Sequence, residues 1–162
     1  MNHCNFVDPS ARFGKDTDVW HFAVVLANVL VGKNCSIGSH VEIGRGTTIG
    51  DNVRIGKGVF LPSSSIIGDN VFIGPGTIFC DDKYPKVNNH RYHAQPPIVE
   101  HDASIGAGCV ILPGIRIGAH SLIGAGSVVV EDVPPHSTVY GDSARLISQA
   151  QDLDLEPTPS EA

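Results

Sequence analysis

The feature that most constrains this chain is a period of six. An aliphatic or aromatic residue stands at Val7 and at every sixth position after it, through Phe13, Val19, Val25, Val31, Ile37, Ile43, Ile49, Ile55, Leu61, Ile67 and Ile73 to Phe79, without a miss. Four residues after each comes a small or β-branched one, from Ala11 and Thr17 to Val71 and Thr77. Glycine often follows the aliphatic residue, as at Gly32, Gly38, Gly44, Gly50, Gly56, Gly68 and Gly74, and the chain holds 18 glycines in all. A helix needs apolar residues three and four apart, so this spacing excludes one. The pattern reads as a short strand, a corner and another short strand, with the large residue inward and the small one packed beside it. Glycine, asparagine and aspartate suit corners because they tolerate unusual backbone angles. One turn cannot bury its own inner face, so the core comes from stacking turns.

A second series runs Val99, Ile105, Ile111, Ile117, Ile123 and Val129, out of phase with the first. The chain between, residues 80–97, is therefore an excursion from a coil of twelve hexapeptides before it and six after, or about six turns. Cys35 and Cys109 fall in small inward positions and read as packing residues. The end of the chain is acidic, poor in apolar residues and carries Pro157 and Pro159, so residues 148–162 are expected to be a disordered tail on a folded unit of residues 1–147.

At 162 residues the chain suits one domain with a sizeable core. A formal charge of −6 argues against nucleic-acid partners, which need a basic face, and nothing resembles a polybasic membrane anchor. The first fifteen residues lack the pattern of a signal peptide. The longest apolar stretch, residues 22–31, is broken by Asn28 and too short to cross a bilayer. Cys4, Cys35, Cys80 and Cys109 lack zinc-site spacing and are expected to be reduced thiols of a cytoplasmic protein.

The excursion gathers Asp81, Asp82, Lys83, Tyr84, His90, Arg91, Tyr92 and His93. A long patternless insertion in a compact domain is usually functional or disordered, and this one interrupts a strict repeat. His90 and His93 are three apart on an irregular segment, a weak metal signal, and no metal is expected.

Nearly the whole chain resembles the hexapeptide-repeat acyltransferases. The resemblance is carried by Ser104-Ile105-Gly106-Ala107-Gly108, by Ile123-Gly124-Ala125-Gly126-Ser127-Val128-Val129, and by Asp132-Val133-Pro134. Gly141-Asp142-Ser143-Ala144-Arg145 is similar to their usual ending, with Asp142 and Ser143 as departures. The resemblance implies an all-β fold, a left-handed parallel β-helix with three hexapeptides per turn, a triangular prism and one long extruded loop. It also implies a homotrimer, with acetyl-CoA and the acceptor in the cleft between neighbouring prisms.

Two further stretches, Val19-Trp20-His21-Phe22 and Phe79-Cys80-Asp81-Asp82-Lys83-Tyr84-Pro85-Lys86, resemble the bacterial N-acetyltransferases of nucleotide-linked 3-amino sugars, which feed O-antigen and other surface-glycan synthesis. Those relatives read threonine-asparagine-aspartate where this chain has Cys80-Asp81-Asp82. The related O-acetyltransferases place a histidine general base at the head of this loop, where this chain has Asp81 and Asp82. An alcohol must lose its proton as it attacks, whereas a neutral amine needs positioning and somewhere to shed one. The resemblance thus implies an amine acceptor, with Asp81 orienting it and taking its proton, and Asp82 either assisting or forming a turn. It places acetyl-CoA against Gly106, Ala107, Gly124, Ala125 and Val130, with Arg145 near the phosphates, and the sugar nucleotide against His21, Lys83, Tyr84, Arg91 and Tyr92. The alternatives are an O-acetyltransferase using His90 or His93 as base, and a subunit that binds ligand without catalysis.

Overall fold

The computed structural model describes residues 4–90, 92–141 and, as backbone, 145–149. Arg91, residues 142–144 and nearly all of the expected tail lie outside them. The chain is a left-handed parallel β-helix without helices among the described residues, built almost wholly of two-residue strands. Three sheets form the faces of the prism. Sheet A holds Phe6–Val7, Val24–Val25, Glu42–Ile43, Phe60–Leu61, Ile78–Phe79, Val110–Ile111 and Val128–Val129. Sheet B runs from Arg12–Phe13 to Arg116–Ile117, and sheet C from Asp18–Val19 through Leu122–Ile123 to Ser137–Tyr140. The last strand, Arg145–Gln149, turns back antiparallel on Ser137–Tyr140.

The six-residue series is the core. From Val25 to Phe79 and from Val99 to Val129 its members are buried, with Ile37, Ile43, Leu61, Ile73 and Phe79 fully so. The small slots behind them are filled by Val29, Cys35, Val41, Val53 and Cys109. Where a slot holds a hydroxyl, it donates to a backbone carbonyl: Thr47 and Ser65 to Pro62 O, Thr77 to Gly106 O, Ser127 to Gly124 O. Among the described residues no buried polar side-chain atom is left unpaired, which removes the main penalty of burying such groups. At the corners the outermost residue adopts a left-handed φ, filled by Asn28, Asn34, Asn52 and Asn70, by glycines such as Gly46, Gly58, Gly76, Gly108 and Gly126, and by His40, His120 and His136; glycine and asparagine hold this conformation at little cost.

The prism has seven turns rather than about six. The seventh is closed by an isolated bridge between Ile117 and Val133 and by the strand Ser137–Tyr140. Pro134 and Pro135 break the period there, so a count by sixes stops short. The excursion enters the fifth turn at the corner between sheets A and B. In sheet B, Ile66 pairs back to Thr48 at the regular spacing of one turn, but forward to Ile98 across a much longer stretch of chain. The surplus is the insertion proper, residues 81–94, while Cys80 and residues 95–97 keep their places on the coil. Among the described residues no helix is long and apolar enough to cross a membrane.

Candidate active site

The loop leaves and rejoins the coil through a narrow neck. Cys80 N donates to Ile111 O at 2.9 Å, Gln95 N to Asp81 O at 2.8 Å, and Gly114 N to Gln95 O at 2.8 Å. The neck fixes the backbone of Asp81 at the loop's base, where its side chain is only partly exposed. Tyr92 donates its hydroxyl to Asp81 Oδ2 at 2.8 Å, tying the start of the loop to its return. That bond, with burial and the neighbouring carboxylates adding to it, raises the Tyr92 pKa, so the phenol is a neutral donor at physiological pH. Asp82 instead turns inward on its own segment: its Oδ1 accepts from Tyr84 N at 2.9 Å, the turn-forming geometry of an aspartate two residues ahead of its donor. Lys83 Nζ stands 6.0 Å from the centre of the Tyr84 ring. Lys83, Tyr84, His90 and His93 are exposed. Burial, then the Asp81 charge, pushes the Cys80 thiol up, which keeps it protonated and unreactive.

A second surface lies at the corner between sheets C and A. Gly38, Gly56, Gly74, Gly106 and Gly124 stack there in successive turns, beside Ser39, Lys57, Pro75, Ala107 and Ala125. A Cβ on Gly74 would lie 2.4 Å from Ala107 N, and one on Gly106 would lie 2.5 Å from Ala125 N, so the turns are in backbone contact. Gly108 N donates to Pro75 O and Gly126 N to Ala107 O, both at 2.8 Å. Outside Gly76, Gly108 and Gly126 there is open space. The result is a smooth strip on which a long flexible chain can lie against backbone.

Aromatic residues close this strip at both ends. Trp20 occupies the glycine position in the first turn and is 55% exposed; Tyr140, 61% exposed, packs on Gly124 at the far end. His21 lies on the same corner, four turns from Ala107, and lines a cavity of about 280 Å³ with Asp18, Val19 and Trp20. Val130 is not on the strip: it sits at the A–B corner in the same column as Cys80 and Leu112. Arg145 pairs with Tyr140 through backbone. Within one chain, then, the expected residues fall into two groups. Asp81, Asp82, Lys83, Tyr84, Tyr92 and Val130 share one corner, while Gly106, Ala107, Gly124, Ala125 and His21 share another.

Sheet A joins these two corners and carries an outward row that the six-residue period alone does not single out. Phe6, Val24, Phe60, Ile78, Val110 and Val128 point out from it, with Glu42 the one charged member. Sheet B mixes Leu30, Ile66 and Ile98 with Arg12, Thr48 and Arg116 at the same positions, and sheet C mixes Phe72 and Leu122 with Asp18, Ser36, Arg54 and Ser104. Sheet A thus has the most continuous apolar row of the three. The signal was present in the sequence as an apolar residue just before the inward one, repeating every third hexapeptide.

Comparison with known proteins agrees with this architecture. The family described as bacterial transferase hexapeptide (six repeats) matches residues 46–80 and 96–130, and that described as the hexapeptide repeat of succinyl-transferase matches residues 28–62. Together they cover more than half of the chain and skip the loop. A hexapeptide-repeat-containing acetyltransferase from Vibrio cholerae O1 biovar eltor, solved with acetyl coenzyme A, is 31% identical with a TM-score of 0.54, over 88% of this chain and 72% of that one. PerB from Caulobacter crescentus, solved with CoA and GDP-perosamine, shares the fold at 23% identity and a TM-score of 0.53, over 90% of this chain and 55% of that one. Among curated relatives, a 2,3,4,5-tetrahydropyridine-2,6-dicarboxylate N-acetyltransferase from Brevibacillus brevis is 54% identical over 56 residues, 35% of this chain and 24% of that protein. The matched stretch spans about a quarter of the length of such curated relatives. The repeat, the fold and the Vibrio relative together establish that the chain belongs to the hexapeptide-repeat acetyltransferases.

Proposed function

We propose that a cyclic trimer of this chain transfers an acetyl group from acetyl coenzyme A to the amino group of a nucleotide-linked amino sugar. The observation that carries this reading is the placement of the two surfaces. The loop leaves the fifth turn, and the strip at Ala107 and Ala125 lies on the fifth and sixth, so both stand at one height along the prism. They are separated by sheet A, a face one hexapeptide wide and so at most about 20 Å across. Rotation about an axis parallel to the prism preserves height. If three copies turn their apolar A faces inward, the loop corner of each meets the glycine strip of the next, and cyclic symmetry closes the ring. The same arrangement covers Phe6 and Ile78, which are 57% and 46% exposed in the single chain.

In this site the donor's pantetheine lies on the strip with its thioester toward the neighbour's loop. The amine nitrogen attacks the thioester carbonyl carbon; a C–N bond forms, the C–S bond breaks, the amine's proton passes to Asp81, and the departing thiolate takes up a proton from solvent. Tyr92 holds the Asp81 carboxylate in place through its 2.8 Å bond. Lys83, Tyr84 and Arg91 meet the phosphates and base of the acceptor, and O-antigen or other surface-glycan synthesis is the process such a product serves. The likeness to an acetyltransferase solved with acetyl coenzyme A supports the donor, and relatives that acetylate nitrogen support an amine acceptor. Those relatives also favour a second reading, in which the acceptor is a small dicarboxylate amine.

A thiol-release assay with acetyl coenzyme A and a panel of UDP-, dTDP- and GDP-linked amino sugars decides between them, with a tetrahydrodipicolinate arm alongside. Turnover with an amino sugar and none with its hydroxyl counterpart is expected. Turnover with the dicarboxylate alone selects the second reading, and a monomer mass by light scattering overturns the shared site.

A further inference from the structure

The third corner, between sheets B and C, takes no part in the site above. Its left-handed position carries Asn34, Asn52, Asn70, Asp102, His120 and His136 in successive turns, with φ between 56° and 59°. Parallel strands lie about 4.8 Å apart, so each side chain in this column stands directly over the next. The asparagines use that spacing: Asn34 Nδ2 donates to Asn52 Oδ1 at 2.8 Å and Asn52 Nδ2 to Asn70 Oδ1 at 3.0 Å. The ladder ends where Asn70 Nδ2 donates to Asp102 Oδ1 at 3.0 Å. The other carboxylate oxygen, Oδ2, faces two imidazoles, His101 Nδ1 at 2.7 Å and His120 Nε2 at 3.9 Å. His120 meets the His101 ring edge-on at 5.1 Å and stacks on His136 at 4.7 Å. One ligand atom from each of His101, Asp102 and His120 lies within 4.8 Å of the others.

We propose that His101, Asp102 and His120 form a binding site for a divalent transition-metal cation of the zinc class. Two imidazoles and one carboxylate suit zinc, cobalt or nickel and not magnesium or calcium, which prefer all-oxygen shells. Bond lengths of about 2.0–2.2 Å to nitrogen and oxygen put neighbouring ligand atoms roughly 3.3 Å apart around one ion. The 3.9 Å gap to His120 is closed by a side-chain rotation while the corner backbone stays fixed. Asn70 orients the carboxylate from behind, the outer-shell support that metal carboxylates commonly have. The side chains are 57%, 35% and 46% exposed, which leaves the remaining coordination positions to water. Because His101 and Asp102 lie on the fifth turn and His120 on the sixth, the ion clips two turns together at a corner separated from the loop by sheet B. This site is independent of acetyl transfer, and its test reads metal binding alone.

Full-length protein stripped with a chelator is titrated near neutral pH with Zn²⁺ by calorimetry and with Co²⁺ by visible absorption. One ion per chain is expected, with a rise in melting temperature. His120→Asn installs the residue that three earlier turns carry at the same corner, so it keeps the fold; its melting temperature without metal should match the parent. It should weaken binding by more than the roughly 10- to 100-fold that loss of outer-shell support alone causes. A His90→Ala, His93→Ala double variant should bind as the parent does. The proposal is overturned by no binding at millimolar metal, by unchanged affinity in His120→Asn, or by loss of binding in the loop variant.

Discussion

The C–A corner and the A–B corner are the same turn of the same repeat, and they are held together by different things. At the C–A corner glycines bring backbone onto backbone, and a Cβ on Gly74 or Gly106 would fall within 2.5 Å of the next turn. At the A–B corner the insertion 81–94 intervenes, and beyond the backbone bonds of its neck order comes from a few side chains: Asp81 with Tyr92, Asp82 with Tyr84 N, Asn89 with Tyr84 O. Backbone contact tolerates no substitution but leaves a featureless surface. Side-chain contact leaves a chemically rich surface that costs little to alter. A transferase needs both kinds, a smooth bed for a long donor and a specific grip on the acceptor, and this fold supplies each at a separate corner.

The comparison breaks most visibly at Gly106. Gly106→Val puts a branched side chain where Ala125 N and Cα lie 2.5 and 2.7 Å from a Cβ. Overpacking of this kind, against backbone that cannot move aside, should destabilise by about 3 kcal/mol or more. Gly108→Ala, one step along the same corner, meets no atom within 4 Å and suffers only its φ of +67°, a cost of about 1–2 kcal/mol. Urea denaturation separates the two. Equal midpoints would mean that the turns are not in backbone contact.

At the loop corner the expected loss is in turnover, with stability nearly unchanged. Asp81→Ala removes the carboxylate that Tyr92 holds and should lower turnover on the order of a hundredfold, the usual contribution of a positioned acid-base group. Asp81→Asn keeps an acceptor of the same size and should lose about tenfold, or about 1.4 kcal/mol. Replacing both His90 and His93 by Ala should change turnover little. Full activity in Asp81→Ala together with a dead histidine variant would transfer the role of base to a histidine and the acceptor to an alcohol.

What could be read in advance follows the same division. Val25, Ile37, Leu61 and Phe79 were legible as core because the period leaves one face for them, and Cys35 and Cys109 because their slots admit only small side chains. The contact of Tyr92 with Asp81 was not, since a stretch of aperiodic chain separates them and nothing in a loop's composition fixes which groups meet. The seventh turn was hidden by Pro134 and Pro135, beside which the chain passes from Ile117 to its partner Val133 by a shorter path than the regular turns take. The histidine column was hidden differently. Asp102 and His120 stand one full turn apart, but that longer period emerges only after the hexapeptides have been grouped in threes.

The smallest effect is expected at the third corner, where side chains bond across turns in full view of solvent. Arg116 donates to Glu100 Oε1 at 2.7 Å, and Ala119 N to Oε2 at 3.0 Å. The Arg116 bond, then the Ala119 bond, lowers the Glu100 pKa below the ordinary glutamate value. A carboxyl with a depressed folded pKa adds stability above its unfolded pKa of about 4.3 and loses it as pH falls through the folded one. Glu100→Gln should therefore be less stable than the parent near neutral pH, by under about 1 kcal/mol because water screens the pair. The difference should shrink below pH of about 4 and vanish once the parent's carboxyl is protonated. Melting curves of the two proteins across that range measure it. A gap that persists in acid would show that packing of the side chain matters and its charge does not. The turns at this corner also touch through backbone, a Cβ on Gly68 falling 2.6 Å from His101 N and one on Gly118 2.4 Å from Pro135 N. A gap far above about 1 kcal/mol at neutral pH would therefore mean that the side-chain pair adds more than an exposed pair does.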